Sequence, residues 1–306
     1  MSAALLLGTS CSITDLAVGG LTDALAGGAE SYASDNDPEL VRSAMPFVLK
    51  TVESLLLSSP GNEDLLVQAC SGFTQYAYAF VELDAERLEN EDYTLSQEWN
   101  DRAYNMYLRA RDYGLEALEG RHPGIVEQLR LDPENAVTVL EERDVEFIYW
   151  TAASWGSAIG VGLDRLETAA DVDSVRALLY RAVELDGDWN YGAIHEALIS
   201  IESLPEAMGG SPERARKHFK EAVELADGRS ASPYVSLAIG VALPNQDAAE
   251  FHSLLNAALA IDVDSAPYKR LANLVTQRRA RTLLDRMEDL FLEPFDPDTT
   301  NPFSSE

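Results

Sequence analysis

The pair His195-Glu196, inside "NYGAIHEALI", opens like the helix of a zinc protease, in which two histidines four apart hold the metal and the glutamate acts as general base. The second histidine is missing, because position 199 is Ile. As an acid–base pair alone, His195 and Glu196 would need a cleft in which both face solvent. The ordinary alternative is a buried His195 hydrogen-bonded within a helical hairpin, from which it could still offer a polar group to a pocket. His122, His218 and His252 show no ligand spacing on a common helical face. Gly160-Val161-Gly162 lacks the third glycine and the preceding strand of a dinucleotide loop, and neither GxSxG nor Walker A appears. The sequence therefore predicts no catalytic residue, no metal site and no cofactor. It reads as a protein that is not an enzyme.

A second stretch raises a binding question. "YWTAASWGSAIGVGLD" (149–164) sets two tryptophans among alanines and glycines. At about 100° per residue, Tyr149, Ala152, Ala153, Gly156 and Gly160 share a narrow stripe, with Trp150 and Trp155 flanking it about 140° apart. The small stripe predicts close approach by another helix, within its hairpin. The rings then fill a core, the commoner use of buried aromatics, or wall a pocket. The sharper expectation is that at least one of Trp150 and Trp155 reaches a cavity, with Tyr149, Tyr191 and His195 supplying polar groups and Tyr76 a further wall.

These residues need elements to position them. The chain has 306 residues, 46% of them hydrophobic, enough for a sizeable core. Its formal net charge of -29, from 52 acidic against 23 basic residues, argues against nucleic acid or anionic lipid as partners, since both demand clustered Lys and Arg. A heavily solvated surface explains the charge without a dedicated basic partner. No run approaches the ~18–20 apolar residues of a membrane span.

There are two cysteines, Cys11 and Cys70. Cys70 sits in the apolar run "LLVQACSGFTQYAYAF" and reads as a buried free thiol. No disulfide framework or paired-cysteine site is available. "MSAALLLGTSC" is an apolar run, then small residues, then Cys11, which is similar to the end of a bacterial lipoprotein signal. It departs from that pattern in lacking Lys or Arg before the apolar run and in having Gly8 where leucine is usual. Cys11 is the lipidation candidate, and a lipid anchor would be the chain's only contact with a membrane.

The remainder reads as successive helices. Asp37-Pro38-Glu39 is a helix start, Pro46 should kink or restart that helix, and a long helix should run from the loop 58–64 to about Leu88. Four helices share a signature of a first position, a bulky residue four on, and alanine three later: Ala103-Tyr107-Ala110, Val175-Leu179-Ala182, Ala215-Phe219-Ala222 and Phe251-Leu255-Ala258. Their starts lie 72, 40 and 36 residues apart, and a degenerate copy, Ala136-Leu140-Arg143, would divide the first interval. Spacing near 34 with such a second helix is the tetratricopeptide pattern. The first helices are "GFTQYAYAF", "YWTAASWGSAI", "NYGAIHEALI" and "YVSLAIGVAL". A final amphipathic helix spans 267–292 and holds six of the basic residues, which should satisfy internal carboxylates. The predicted fold is all-α: stacked helical hairpins forming a tetratricopeptide-like superhelix, with N- and C-terminal capping helices near 38–57 and 268–291. The expected organisation is a signal-like segment and tether at 1–36, one helical domain at 37–292, and a disordered tail at 293–306.

"DPELVRSAMPFVLKTVESLL" (37–56), "LLVQACSGFTQYAYAFV" (65–81), "YLRARDYGLEALE" (107–119), "YWTAASWGSAI" (149–159), "GAIHE" (192–196) and "RLANLVTQRRARTLL" (270–284) together resemble the TRAP transporter T component, TatT. The similarity runs in order from Asp37 to Phe291. The resemblance implies a periplasmic lipoprotein that associates with the substrate-binding P component of a tripartite ATP-independent periplasmic (TRAP) transporter. It also implies a homo-oligomer, with a trimer as the expected size, and a passage for a small organic ligand, hydrophobic or acidic. An envelope scaffold that binds proteins but no ligand is the alternative; it gains if Trp150, Trp155, Tyr76, Tyr78 and Tyr191 are all sealed in packing.

Overall fold

The computed structural model describes residues 28, 30–163, 165 and 171–295. Residues 1–27, with Cys11, and most of the 293–306 tail lie outside the described residues. Among the described residues every regular element is helical.

Helix α1 (Pro38–Ser58) begins where the Asp37 carboxylate accepts the backbone N–H groups of Glu39 and Leu40, each at 3.1 Å. Pro46 does not restart it; the helix continues through. α2 (Glu63–Tyr76) is capped by Asn62, passes through a π-helical stretch, Ala77–Glu82, and resumes as α3 (Leu83–Leu88). The long helix expected to about Leu88 is thus present, with a widened turn in its middle. Asp92 caps α4 (Tyr93–Arg121) by accepting the Leu95 N–H at 3.0 Å.

The degenerate repeat copy does not form a helix. After the short α5 (Ile125–Leu131) and α6 (Pro133–Ala136), Val137–Val139 is a 3-10 turn and Leu140 is extended. Ala136 and Leu140 are still buried, but Arg143 is exposed, so the apolar spacing serves packing without a second helix. α7 (Val145–Val161) and α8 (Val172–Asp186) form the next hairpin, followed by α9 (Trp189–Glu202) with α10 (Pro212–Leu225). α11 (Ser232–Leu237) runs into a second π stretch, Ala238–Ala242, and pairs with α12 (Ala248–Leu259). α13 (Arg270–Asp285) and the single turn α14 (Met287–Leu290) finish the described chain, so the expected C-terminal helix is split at Arg286.

The alanine-bulky-alanine signature packs as its spacing predicts. Ala103, Tyr107 and Ala110 are fully buried, as are Val175, Leu179 and Ala182, and Phe251, Leu255 and Ala258. Each large apolar side chain sealed in this way stabilises the stack by about 1.5–3 kcal/mol. The closest approach of two helices lies between α4 and α7, where a Cβ on Gly114 would come 2.2 Å from Thr151 Oγ1. Glycine at 114 is what lets these two hairpins touch.

The stack also closes on itself. α13 packs on α12 and on α1, and Leu271 reaches the N-terminal core of Phe73, Tyr76, Phe80 and Tyr107. Ions dominate the rest of the seam. Arg278 pairs with Glu39 at 2.6 Å, Arg279 with Glu82 at 3.3 Å and with Glu86, and Arg286 with Glu89 at 2.8 Å. Arg270 Nη1 donates to the Ser34 carbonyl at 2.8 Å. Four of the six clustered cations therefore neutralise or cap groups of this same chain. The C-terminal core around Phe251 and Leu255 remains a cluster separate from the N-terminal one.

Candidate functional site

On α7 the face carrying Tyr149, Trp150, Ala153, Ser157 and Gly160 is half-buried or open, while Ala152 and Ala158 on its back are sealed. The expected sealing of the whole stripe within the hairpin is therefore corrected. Gly156 is tight, since a Cβ there would lie 3.2 Å from Ile201 Cδ1, but a Cβ on Gly160 would meet nothing within 4 Å. The stripe narrows the helix where it abuts α9 and leaves room beyond.

Arg279 of α13 reaches the π stretch that follows α2. Tyr78 and Glu82 come from the π stretch Ala77–Glu82, Tyr149 from α7, Glu196 from α9 and Arg279 from α13. Widened π turns recur at functional sites because they redirect the side chains that follow. The Arg279 guanidinium stands 5.4 Å from the Tyr78 ring centroid and ion-pairs with Glu82, whose other oxygen accepts the Tyr107 hydroxyl. Burial raises the Glu82 carboxyl, against the pull of Arg279, and drives the Tyr107 phenol well above its ordinary value. Burial likewise lifts the phenols of Tyr78 and Tyr149, and the Glu196 carboxylate adds to both shifts.

Aromatic rings pack between the elements nearby. The Tyr149 ring lies 4.9 Å from Trp150, edge-on, and 4.7 Å from Trp189. Tyr191 stacks on Tyr268 with centroids 4.4 Å apart. Tyr191 is 49% exposed and occupies a left-handed turn at the start of α9, where Asn190, Tyr191 and Gly192 have φ of 47°, 58° and 84°. Left-handed backbone is costly for residues with a Cβ and persists where the surroundings impose it. Here Gly192 lies against α10, since a Cβ would sit 3.0 Å from Leu225 Cβ.

His195 turns toward α10 and is 8% exposed, with its Nδ1 2.9 Å from Nδ1 of His218. Tyr180 Oη donates to Glu202 Oε1 at 3.2 Å and lies 3.3 Å from His218 Nε2. That order puts the His218 proton on Nε2, so His195 Nδ1–H donates to His218 Nδ1. Glu202 is fully buried and accepts from Arg214 Nε at 2.7 Å. His195 and Glu196 do not share a cleft, which removes the geometry an acid–base pair would need.

The six ligand-site candidates therefore divide. Tyr149 and Trp150 are half-buried and pack with each other, whereas Tyr191 is exposed and stacks on Tyr268. Tyr76 is in the N-terminal core against Phe80. Trp155 is 4% exposed, with Nε1–H donated to Asp171 at 2.9 Å, and belongs to the central core. His195 belongs to the hairpin's polar network. Trp189 and Tyr268 escaped the sequence reading, because one precedes the quoted "NYGAIHEALI" and the other sits at the very start of the predicted 267–292 helix. Among the described residues no three His, Cys, Asp or Glu side chains are grouped to hold a metal, and no helix is long and apolar enough to cross a membrane.

The helices pack as stacked hairpins closed by the last long helix on the first, an all-α architecture. Residues 34–291 match the TRAP transporter T-component family, and the chain belongs to that family. A similar protein is an uncharacterized protein of Treponema pallidum (strain Nichols), 29% identical over 313 residues, covering 95% of this chain and 96% of the relative. The family is one of transport accessories rather than a known enzyme family.

Proposed function

We propose that the protein docks the substrate-binding P component of a TRAP system and assists the passage of a small organic ligand through its interior. The observation that supports this reading is the half-open cluster of Tyr149 and Trp150 from one hairpin with Trp189 from the next. A pure scaffold would have no use for the half-open rings of Tyr149 and Trp150. The protein acts in the periplasm, held to the envelope membrane by a lipid on Cys11, as a homo-oligomer with three copies as the expected size. The hairpins are of tetratricopeptide type, and their concave faces point inward.

The experiment is a pull-down of the P component by the full-length protein, with Trp150→Ala and Tyr149→Ala as variants. Capture by the parent protein and altered ligand hand-over in the variants support the reading. Failure of the purified pair to associate refutes it. Cys11→Ser should move the protein from the membrane fraction to the soluble periplasm, and light scattering should report an oligomer.

A further inference from the structure

Helix α1 buries one face through Val41, Leu49, Val52 and Leu56. On its other face Leu40, Ser43, Phe47, Lys50, Ser54 and Leu57 follow one another at intervals of three and four, and all six are exposed. That is the a and d spacing of a coiled-coil seam. Leu40, Phe47 and Leu57 are 59%, 78% and 86% exposed. A terminal helix of a stack ordinarily turns a polar face outward, so three large apolar side chains on one seam mark a contact surface.

The seam is complementary to itself when reversed. Laid antiparallel on a second copy about a two-fold axis, Leu40 meets Leu57, Ser43 meets Ser54 and Phe47 meets Lys50, and each pairing occurs twice. The apolar pairs close the two ends. The serines permit close approach and bring no unsatisfied hydroxyl, since Ser43 Oγ donates to the Glu39 carbonyl at 2.9 Å and Ser54 Oγ to the Lys50 carbonyl at 2.8 Å. At the centre the Lys50 stem and ammonium cover the ring of Phe47 of the partner subunit. Glu53 of the same helix pairs with Lys50, so the two lysines near the axis bring their own counter-charge. A parallel pair would set Lys50 against Lys50 instead.

We propose that α1 docks on α1 of a second copy of this chain, antiparallel, through the Leu40–Leu57 seam. The three apolar side chains offer about 400 Å² per copy against the ~800 Å² of a standard interface, so the pair should separate on dilution. A two-fold contact joins two copies, or two rings of three, and cannot itself close three.

The test uses the full chain. Sedimentation and light scattering over about 1–100 μM should give two or six copies at the upper end and half that mass on dilution. Phe47→Lys and, separately, Leu57→Lys should hold the mass at the halved value throughout. Both positions are exposed, and circular dichroism melts check that the variants keep the parent fold. Cross-linking then reads the direction of the pair. In a Cys11→Ser background the remaining Cys70 is buried, so only introduced thiols react. A mixture of the Ser43→Cys and Ser54→Cys variants should form a 43–54 disulfide under mild oxidation. Either variant alone should not, because like positions lie about 16 Å apart along an antiparallel pair. One or three copies across the whole range, an unchanged mass for both lysine variants, or Ser43→Cys cross-linking to itself instead of to Ser54→Cys would each overturn the proposal.

Discussion

Acidification through the histidine range should strip stability from the α9/α10 hairpin. The His195 and His218 Nδ1 atoms, 2.9 Å apart, can share one proton but not two, so both rings are neutral in the resting fold. Burial holds both below the ordinary histidine value, and for His218 burial and the facing His195 bring it from 6.5 to about 4. Lys217 and Arg214 on α10 act in the same direction, Glu221 opposes them at His195, and Tyr180 of α8 and Glu202 of α9 complete the surroundings. The folded value is the lower one, so the unfolded chain takes protons first as pH falls. The stabilising contribution is complete above pH 6.5 and disappears on the way down to about 4. The full His218 shift corresponds to about 3 kcal/mol, and solvent screening at the hairpin edge reduces the expected loss to about 2 kcal/mol. Urea unfolding of the parent and of the His195→Gln/His218→Gln variant, at several pH values across that window, isolates the effect. Carboxylates such as Glu63 and Glu250, held low by hydrogen bonds from Arg121 and Arg216, titrate alike in both proteins. The parent should lose more stability than the variant as pH falls. Parallel pH profiles would refute the reasoning.

The two tryptophans of α7 should separate in a thermal melt. Trp155→Ala should cost about 3–5 kcal/mol, whereas Trp150→Ala should cost about 1 kcal/mol and act on ligand handling instead. Gly192→Ala forces a Cβ into a left-handed turn already against Leu225, and should destabilise by about 1–3 kcal/mol in denaturant titration. Raising salt to about 1 M should loosen the α13 seam, whose exposed ion pairs are screened at that strength. Hydrogen exchange of α13 should then rise while α4 and α7 stay protected. Uniform protection at both salt levels would argue against an ionic seam.

The hairpins were legible because their packing repeats: alanines at 103, 110, 182, 215, 222 and 258 mark contacts that small residues alone allow. The same rule misled at Ala136-Leu140-Arg143, where two apolar positions mimic a helix but the backbone turns. Proline at 46 did not interrupt α1, since the turns on either side bury Val41, Leu49 and Val52 and hold the helix together. The π stretches left no signature in "AYAFVE" or "AIGVA", being products of packing. At the site, Tyr149 and Trp150 could be proposed from helical phase, yet phase could not distinguish the sealed Trp155 from them. The His195–His218 pairing joins residues 23 apart on facing helices, which one-helix spacing rules cannot detect.

Closure of the stack also blurs which hairpin comes first. The start of α13 meets Ser34, and the turn after it, α14, meets Asn90, whose side chain donates to Asp289 at 2.8 Å, so α13 lies along the chain's opening elements. It belongs to them as much as to α12. Cut in the exposed turn 262–265 and rejoined from beyond 290 to the residues before α1, the chain would begin with α13 instead of ending with it. The linker would have to span the length of α13, about 25 Å, which some ten residues can cover. Such a rearranged chain should assemble the same ring. Sequence order here sets the order of synthesis, and the stack closes only once α13, made after the other long helices described, reaches the first of them.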